Sequence, residues 1–147
     1  RRLCAGQGVM TPLDDWTFHH FGLALKSDRT AGDFLGALGY HRGETVYDPL
    51  QNVRLALCEK AGEPSIELIT PGEGEGPLSA ILKRYDQLFY HSCYSVPDRR
   101  AALEKLEKAG LRVIENAPPT PAVLFGGRQV SFHTIVGYGL IELLDAD

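Results

Sequence analysis

Bulky apolar residues take every second position at Phe21, Leu23 and Leu25, and between them stand His20, Gly22 and Ala24. A period of two predicts a strand with one bulky face and one face of small residues around a histidine. The pattern returns at His91, Cys93 and Ser95, interleaved with Ser92, Tyr94 and Val96. After each strand the period lengthens. Ala31, Phe34, Leu35 and Leu38 recur at intervals of three and four, which predicts an amphipathic helix with Ser27 or Asp28 as N-cap and Gly39 just past its end. Asp98 can cap a second helix, with Ala102, Leu103 and Leu106 as its buried stripe and Gly110 as its stop.

The two halves keep one register. Nineteen residues separate His20 from Gly39 and His91 from Gly110, and each half closes on the same tripeptide, in "SIELIT" with Glu67 and in "GLIELLDA" with Glu142. Between helix and closing strand lie two further strand candidates per half. They are residues 44–48 and 53–58, turning through "DPLQN", and residues 112–115 and 128–134, flanking the proline-rich "NAPPTPAVLFGG". The connector "PGEGEGP" reads as a linker, with a short helix over residues 78–85; its "GEGEG" lacks the strand-to-helix context of a nucleotide loop. We therefore expect one α+β domain over residues 1–147. It contains two tandem βαβββ modules, about 16–71 and 88–145, joined by a linker at about 72–87, and their curved, mostly antiparallel sheets form a cup.

Composition removes several function classes. At 147 residues with 44% hydrophobic and 23% charged positions the chain can bury a core, and a net charge of −4 gives no electrostatic footprint for nucleic acid. No apolar run approaches a membrane span and the opening "RRLCAGQGVMTPLDD" lacks a signal-peptide centre, so no membrane role and a cytoplasmic location are expected. Cys4, Cys58 and Cys93 are odd in number and without paired spacing, which predicts free thiols. The chain opens on Arg1, from which we expect a trimmed chain or a piece of a longer polypeptide.

Alternation also decides what the closing strands present. Glu67 lies between Ile66 and Leu68, and Glu142 between Ile141 and Leu143, so both carboxylates sit opposite the residues that build the core. An unpaired buried carboxylate costs several kcal/mol, and two of them require a countercharge. Two neutral imidazoles, His20 and His91, with Glu67 and Glu142 cancel a divalent cation. The nitrogen and oxygen set suits Mn, Co, Ni, Fe or Zn. Four ligands leave two positions of an octahedral centre open. His19 and His41 read as surface residues, and His133 as ambiguous.

"HHFGLALKS", "IELITP", "YHSCYSV" and "GLIELL" together resemble the vicinal oxygen chelate superfamily, also called the glyoxalase/bleomycin resistance/dioxygenase superfamily, across about residues 18–145. Within it the chain looks most like the methylmalonyl-CoA epimerases. The resemblance implies a metal cup held at His20, Glu67, His91 and Glu142, where the epimerases often carry Gln at the position of Glu67. It further implies a homodimer and an acidic residue in the strand around 44–48 that moves the substrate's α-proton. Glu44, Tyr47 and Asp48 are the candidates there, with Glu142 as the carboxylate that both holds metal and handles a proton. Arg128, in a glycine-flexible "LFGGRQVSF" loop, is the candidate contact for a substrate carboxylate or phosphate.

The implied activity is epimerisation or isomerisation of an acyl thioester, carried by CoA or a carrier protein, through an enolate. Such chemistry needs positive charge at the carbonyl oxygen and a proton acceptor beside the α-carbon. The alternatives are a glyoxalase-type lyase acting on a glutathione hemithioacetal and a binding protein that sequesters an antibiotic. An extradiol dioxygenase fits less well, because a fourth protein ligand takes a position that oxygen and catecholate both need.

Overall fold

Strand β1 (Thr17–Leu25) and strand β6 (Gln87–Val96) pair antiparallel, and every other strand extends outward from that seam. The structure is a computed structural model that describes residues 11–147; Cys4 lies outside them, and Cys58 and Cys93 are free and buried. On one side of the seam come β5 (Ser65–Pro71), β4 (Val53–Glu59) and β2 (His41–Arg42), with β3 (Val46–Asp48) also on β4. On the other side come β9 (Gly139–Asp145), β8 (Gln129–Ile135) and β7 (Val113–Pro121). The curved α+β arrangement expected from the pattern is present, and the two half-sheets are continuous as one nine-stranded sheet. Among the described residues β1 with β5 and β6 with β9 run parallel, and the other pairs are antiparallel.

The helices form where the longer period begins. Helix α1 (Arg29–Ala37) follows Asp28, and Gly39 just beyond it takes φ +93°, a left-handed turn that a side chain would strain. Helix α3 (Arg99–Lys108) is capped by Asp98, whose side chain accepts from the Ala101 N–H at 3.0 Å. Leu35 packs with Leu25, Cys58 and Leu68 beneath α1, while Ala102 and Leu106 pack with Val96, Ile141 and Leu143 beneath α3. Burying each of these large side chains contributes roughly 1.5–3 kcal/mol. The α1 stripe is narrower than its periodicity predicts, since Phe34 and Leu38 stay exposed. A nine-residue helix lying on a sheet buries one row of side chains, and these two sit beyond its edge.

Two elements depart from expectation. β2 is a two-residue edge pairing too short to show a period. β7 runs straight through Pro118 and Pro119, where the prolines read as a loop. It is an edge strand paired only with β8, and register shifts between Glu115 and Ala117 and between Ala117 and Thr120 accommodate residues that cannot donate to a ladder. The connector holds only the short helix α2 (Ser79–Leu82). Among the described residues no helix is long and apolar enough to cross a membrane.

The face of the sheet away from α1 and α3 lines the concave side. Ala24, Val53, Leu55 and Ile69 contribute to it with Leu78 and Leu82 from the connector, and Cys93, Val130 and Leu144 continue it in the second half. A single-turn 3₁₀ helix (Val123–Phe125) lies over this hollow and leads into the glycine pair of "LFGG".

Candidate metal centre

Four side chains distant in sequence meet at the seam. His20 Nε2 lies 3.2 Å from His91 Nε2, and Glu67 Oε1 is 3.7 Å from the first and 3.8 Å from the second. Glu142 reaches the same two nitrogens at 3.7 and 3.8 Å through its two oxygens. All four residues are at most 5% exposed. Their convergence follows from register. Gly22 is the cross-strand partner of both Glu67 on β5 and His91 on β6, while Cys93 is opposite His20 on one side and Glu142 on the other.

Gly22 has a local reason to be glycine. A Cβ built there would clash with the His91 ring, 2.3 Å from Cε1 and 2.6 Å from both nitrogens. The imidazole therefore occupies the space that any side chain at position 22 would fill.

Electrostatics make the cluster incomplete as protein alone. Burial pushes His20 down to about 2, aided by the neighbouring His91 and His19 rings, and burial pushes His91 down to about 3. Both rings are neutral at physiological pH, so their contacts with the carboxylates are not ion pairs. Burial holds Glu67 well above the usual carboxylate range, with the nearby Glu142 and Asp48 charges adding to it. Burial likewise raises Glu142 to about 7, against the Cys93 thiol that hydrogen-bonds it. Glu142 Oε1 and His91 Nδ1 are buried with no hydrogen-bond partner. The unpartnered Glu142 oxygen beside two unpaired carboxyls is the chemistry of a site suited to a cation.

The donor set fits such a cation. Two atoms each about 2.1 Å from a shared ion lie roughly 3.0–3.4 Å apart at ligand angles of about 90–109°. The observed separations of 3.2–3.8 Å need only a small contraction. Nitrogen and carboxylate oxygen ligands suit a first-row divalent ion. A hollow of about 30 Å³ opens beside Glu67, His91 and Glu142. A larger cavity of about 580 Å³ adjoins it and shares Gln51, Pro77, Tyr90 and Phe132 as a common wall.

Parity and position separate the three candidates for a second proton carrier. Asp48 is 1% exposed and lines the small hollow together with Glu67, His91 and Glu142. Its carboxylate accepts from Leu50 N at 2.9 Å, Gln51 N at 3.3 Å and Gln51 Nε2 at 3.0 Å, so the "DPLQN" turn holds it. Tyr47, one residue earlier, points to the opposite face, where its hydroxyl donates to Asn52 Oδ1 at 2.8 Å. Glu44 is exposed, ahead of the first residue of β3. Arg128 does not line the hollow. Its guanidinium bonds Asp145 O at 2.7 Å and Ser95 Oγ at 3.3 Å, bracing the end of β9.

Three histidine and aromatic contacts were not legible in the pattern. His19, expected on the surface, is half-buried, with its Nδ1 2.8 Å from His20 Nδ1. His133 is buried under α3's side of the sheet, hydrogen-bonded to Ser131 Oγ at 2.8 Å, and plays no part in the cluster. Phe132 sets its ring edge-on to His91 at 5.4 Å. Only the doubled "HH" in the sequence hinted at the first of these.

A sequence profile described as the Glyoxalase/Bleomycin resistance protein/Dioxygenase superfamily matches residues 19–132. No curated protein matches the chain by sequence. Among solved structures, a hypothetical protein from Bacillus halodurans C-125 is similar at 23% identity and a TM-score of 0.75, over 91% of this chain and 96% of that one. Methylmalonyl-CoA epimerase from Mycobacterium tuberculosis is similar at 20% identity and a TM-score of 0.72, over 88% and 87%. A Streptomyces coelicolor methylmalonyl-CoA epimerase variant in complex with 2-nitronate-propionyl-CoA follows at 19% identity and 0.66, over 88% and 96%. At these identities the likeness establishes the fold.

Proposed function

The chain belongs to the glyoxalase/bleomycin resistance protein/dioxygenase superfamily, and from that premise we propose that it is a metal-dependent epimerase or isomerase that moves the α-proton of an acyl thioester. The observation that carries this reading is the convergence of His20, Glu67, His91 and Glu142 with Asp48 in the wall of the same hollow. His20, His91, Glu67 and Glu142 hold a divalent cation of the Mn, Co, Ni, Fe or Zn type. When bound, that ion supplies positive charge at the substrate's carbonyl oxygen and so lowers the cost of removing the neighbouring proton.

The remaining work falls to the chain. Glu142 is basic enough at neutral pH to accept a proton, because burial raises its carboxyl to about 7. Asp48, fixed by three N–H donors, is the carboxylate outside the ligand set that lines the hollow. One of the two takes the α-proton from one face while the other, entering the step as the protonated acid, gives its own proton to the opposite face, which inverts the carbon between them; exchange with solvent resets the pair. The neighbouring cavity of about 580 Å³ is lined mostly by apolar residues and contains no Lys or Arg. It suits the uncharged thioester arm of a substrate, whether CoA or a carrier protein bears the far end.

Residues 16–71 and 88–145 act on this reading as two modules of one domain. Two chains associate through the exposed aromatic patch of Phe18, Phe21, Phe89 and Tyr138, of which Phe89 is 68% exposed. The test is metal analysis followed by NMR-detected α-deuterium exchange in heavy water, on methylmalonyl-CoA and on a glutathione–methylglyoxal adduct in parallel. Exchange of the thioester supports the proposal, and turnover of the adduct alone replaces it with a lyase. Exchange of neither, with tight uptake of a metal-free apolar ligand, replaces it with a binding protein.

A further inference from the structure

We infer that His19 is a positioning residue that fixes the imidazole of His20 in the tautomer able to ligate a metal, an inference that rests on the metal-centre reading above. Strict alternation would send the His19 side chain to the face opposite His20. The β1–β6 register prevents this. Phe18 is opposite Tyr94 and His20 opposite Cys93, so His19 is the extra residue of a bulge and has no cross-strand partner. The bulge turns its ring back toward the seam, and Nδ1 of His19 comes to 2.8 Å from Nδ1 of His20 with the rings nearly perpendicular at 78°. Phe125 packs on both rings, at 4.8 Å from His19 and 5.4 Å from His20, and clamps the pair from the side of the 3₁₀ helix.

One of the two Nδ1 atoms must donate, and the surrounding groups decide which. If His19 donated, His20 would carry its proton on Nε2, aimed at the cluster of His91, Glu67 and Glu142 and blocking the lone pair a metal needs. His91 would then have to accept on Nε2 and bear its own proton on Nδ1, a buried position with no partner. An orphaned buried N–H costs about 1–3 kcal/mol. If His20 donates, its Nε2 lone pair faces the cluster, and in the metal-free chain it accepts from His91 Nε2. The second arrangement leaves no buried donor unpaired. His19 thus does for His20 what a carboxylate or carbonyl does behind other metal-bound histidines, while His91 has no such partner.

The test uses two variants and two readouts. His19→Phe keeps a ring against Phe125 and removes the acceptor, and His19→Asn restores an amide oxygen near the position of Nδ1. Long-range ¹H–¹⁵N correlation on ¹⁵N-histidine protein, without metal, should show His20 protonated on Nδ1 in wild type and in His19→Asn, and redistributed toward Nε2–H in His19→Phe. Chelator-competition titration with Co²⁺ should show affinity about 10- to 100-fold weaker in His19→Phe and largely recovered in His19→Asn. An unchanged His20 tautomer, or unchanged Co²⁺ affinity, in His19→Phe overturns the inference and leaves the metal centre standing. Failure of wild type to take up Co²⁺ overturns the metal centre, while the tautomer spectrum, recorded without metal, tests the His19–His20 contact by itself and tells the two failures apart.

Discussion

The imidazole of His91 lies across the backbone of Gly22, its cross-strand partner, in the space where a side chain at that position would begin. One hydrogen atom on β1 therefore sets the aim of a candidate ligand on β6.

Gly22→Ala should separate folding from metal binding. Crowding a methyl group into a packed site costs about 1–3 kcal/mol, which the fold of this size can absorb with a lowered melting temperature. The displaced ring should no longer ligate, so the rise in melting temperature on adding Co²⁺ or Mn²⁺ should vanish. A metal-dependent shift as large as that of wild type would show that His91 does not need this space.

Glu142→Gln and Glu67→Gln should differ in spite of their symmetric placement. A neutral amide ligates weakly and cannot accept a proton, so Glu142→Gln should keep measurable metal and lose roughly 10²–10⁴-fold in α-proton exchange. Glu67→Gln should lose far less. Equal losses in deuterium exchange would end the division of labour without touching the metal site.

Metal uptake should strengthen as pH rises, because protons and the cation compete for Glu142, raised to about 7, and for Glu67, also raised. In metal-free protein a raised carboxyl stabilises the fold fully below its ordinary value of 4.5, and that contribution is lost as pH climbs through about 7. His20 and His91 are depressed, so their contribution is present above the ordinary 6.5 and is lost as pH falls toward about 3. His19 and His133 are depressed as well, and the four imidazoles finish contributing only about a unit above 6.5, so from about pH 7.5 to 8.5 only the raised groups act. The melting temperature of chelator-treated protein should fall across that window while that of metal-saturated protein holds; an apo melting temperature that climbs there would contradict the electrostatic account.

Light scattering at micromolar concentration should report a dimer for wild type and a monomer for Phe89→Asp, since a charge at the centre of an apolar contact is costly to bury. Monomeric wild type would remove the proposed assembly.

How much the chain announces in advance depends on whether a feature is periodic. The facing of His20, Glu67, His91 and Glu142 is set by alternation within each strand, and alternation is local, so the sequence alone put the four on the inner face. The two helices and their glycine stops are equally local. What alternation cannot reach is a break in itself. The bulge that brings His19 back to His20 exists because β1 and β6 pair with one residue to spare, and pairing is a tertiary fact. Asp48 and Tyr47 are adjacent and equally plausible in sequence, and only the pairing of β3 with β4 decided which one looks into the hollow. Arg128 reads as a substrate contact until the end of β9 is seen to occupy it. Residues 116–121 read as a loop because proline cannot donate, and they continue the strand begun at Val113 because an edge leaves half of those donors unneeded. Sequence periodicity determined the faces, and the antiparallel seam between β1 and β6 decided which side chains on those faces meet.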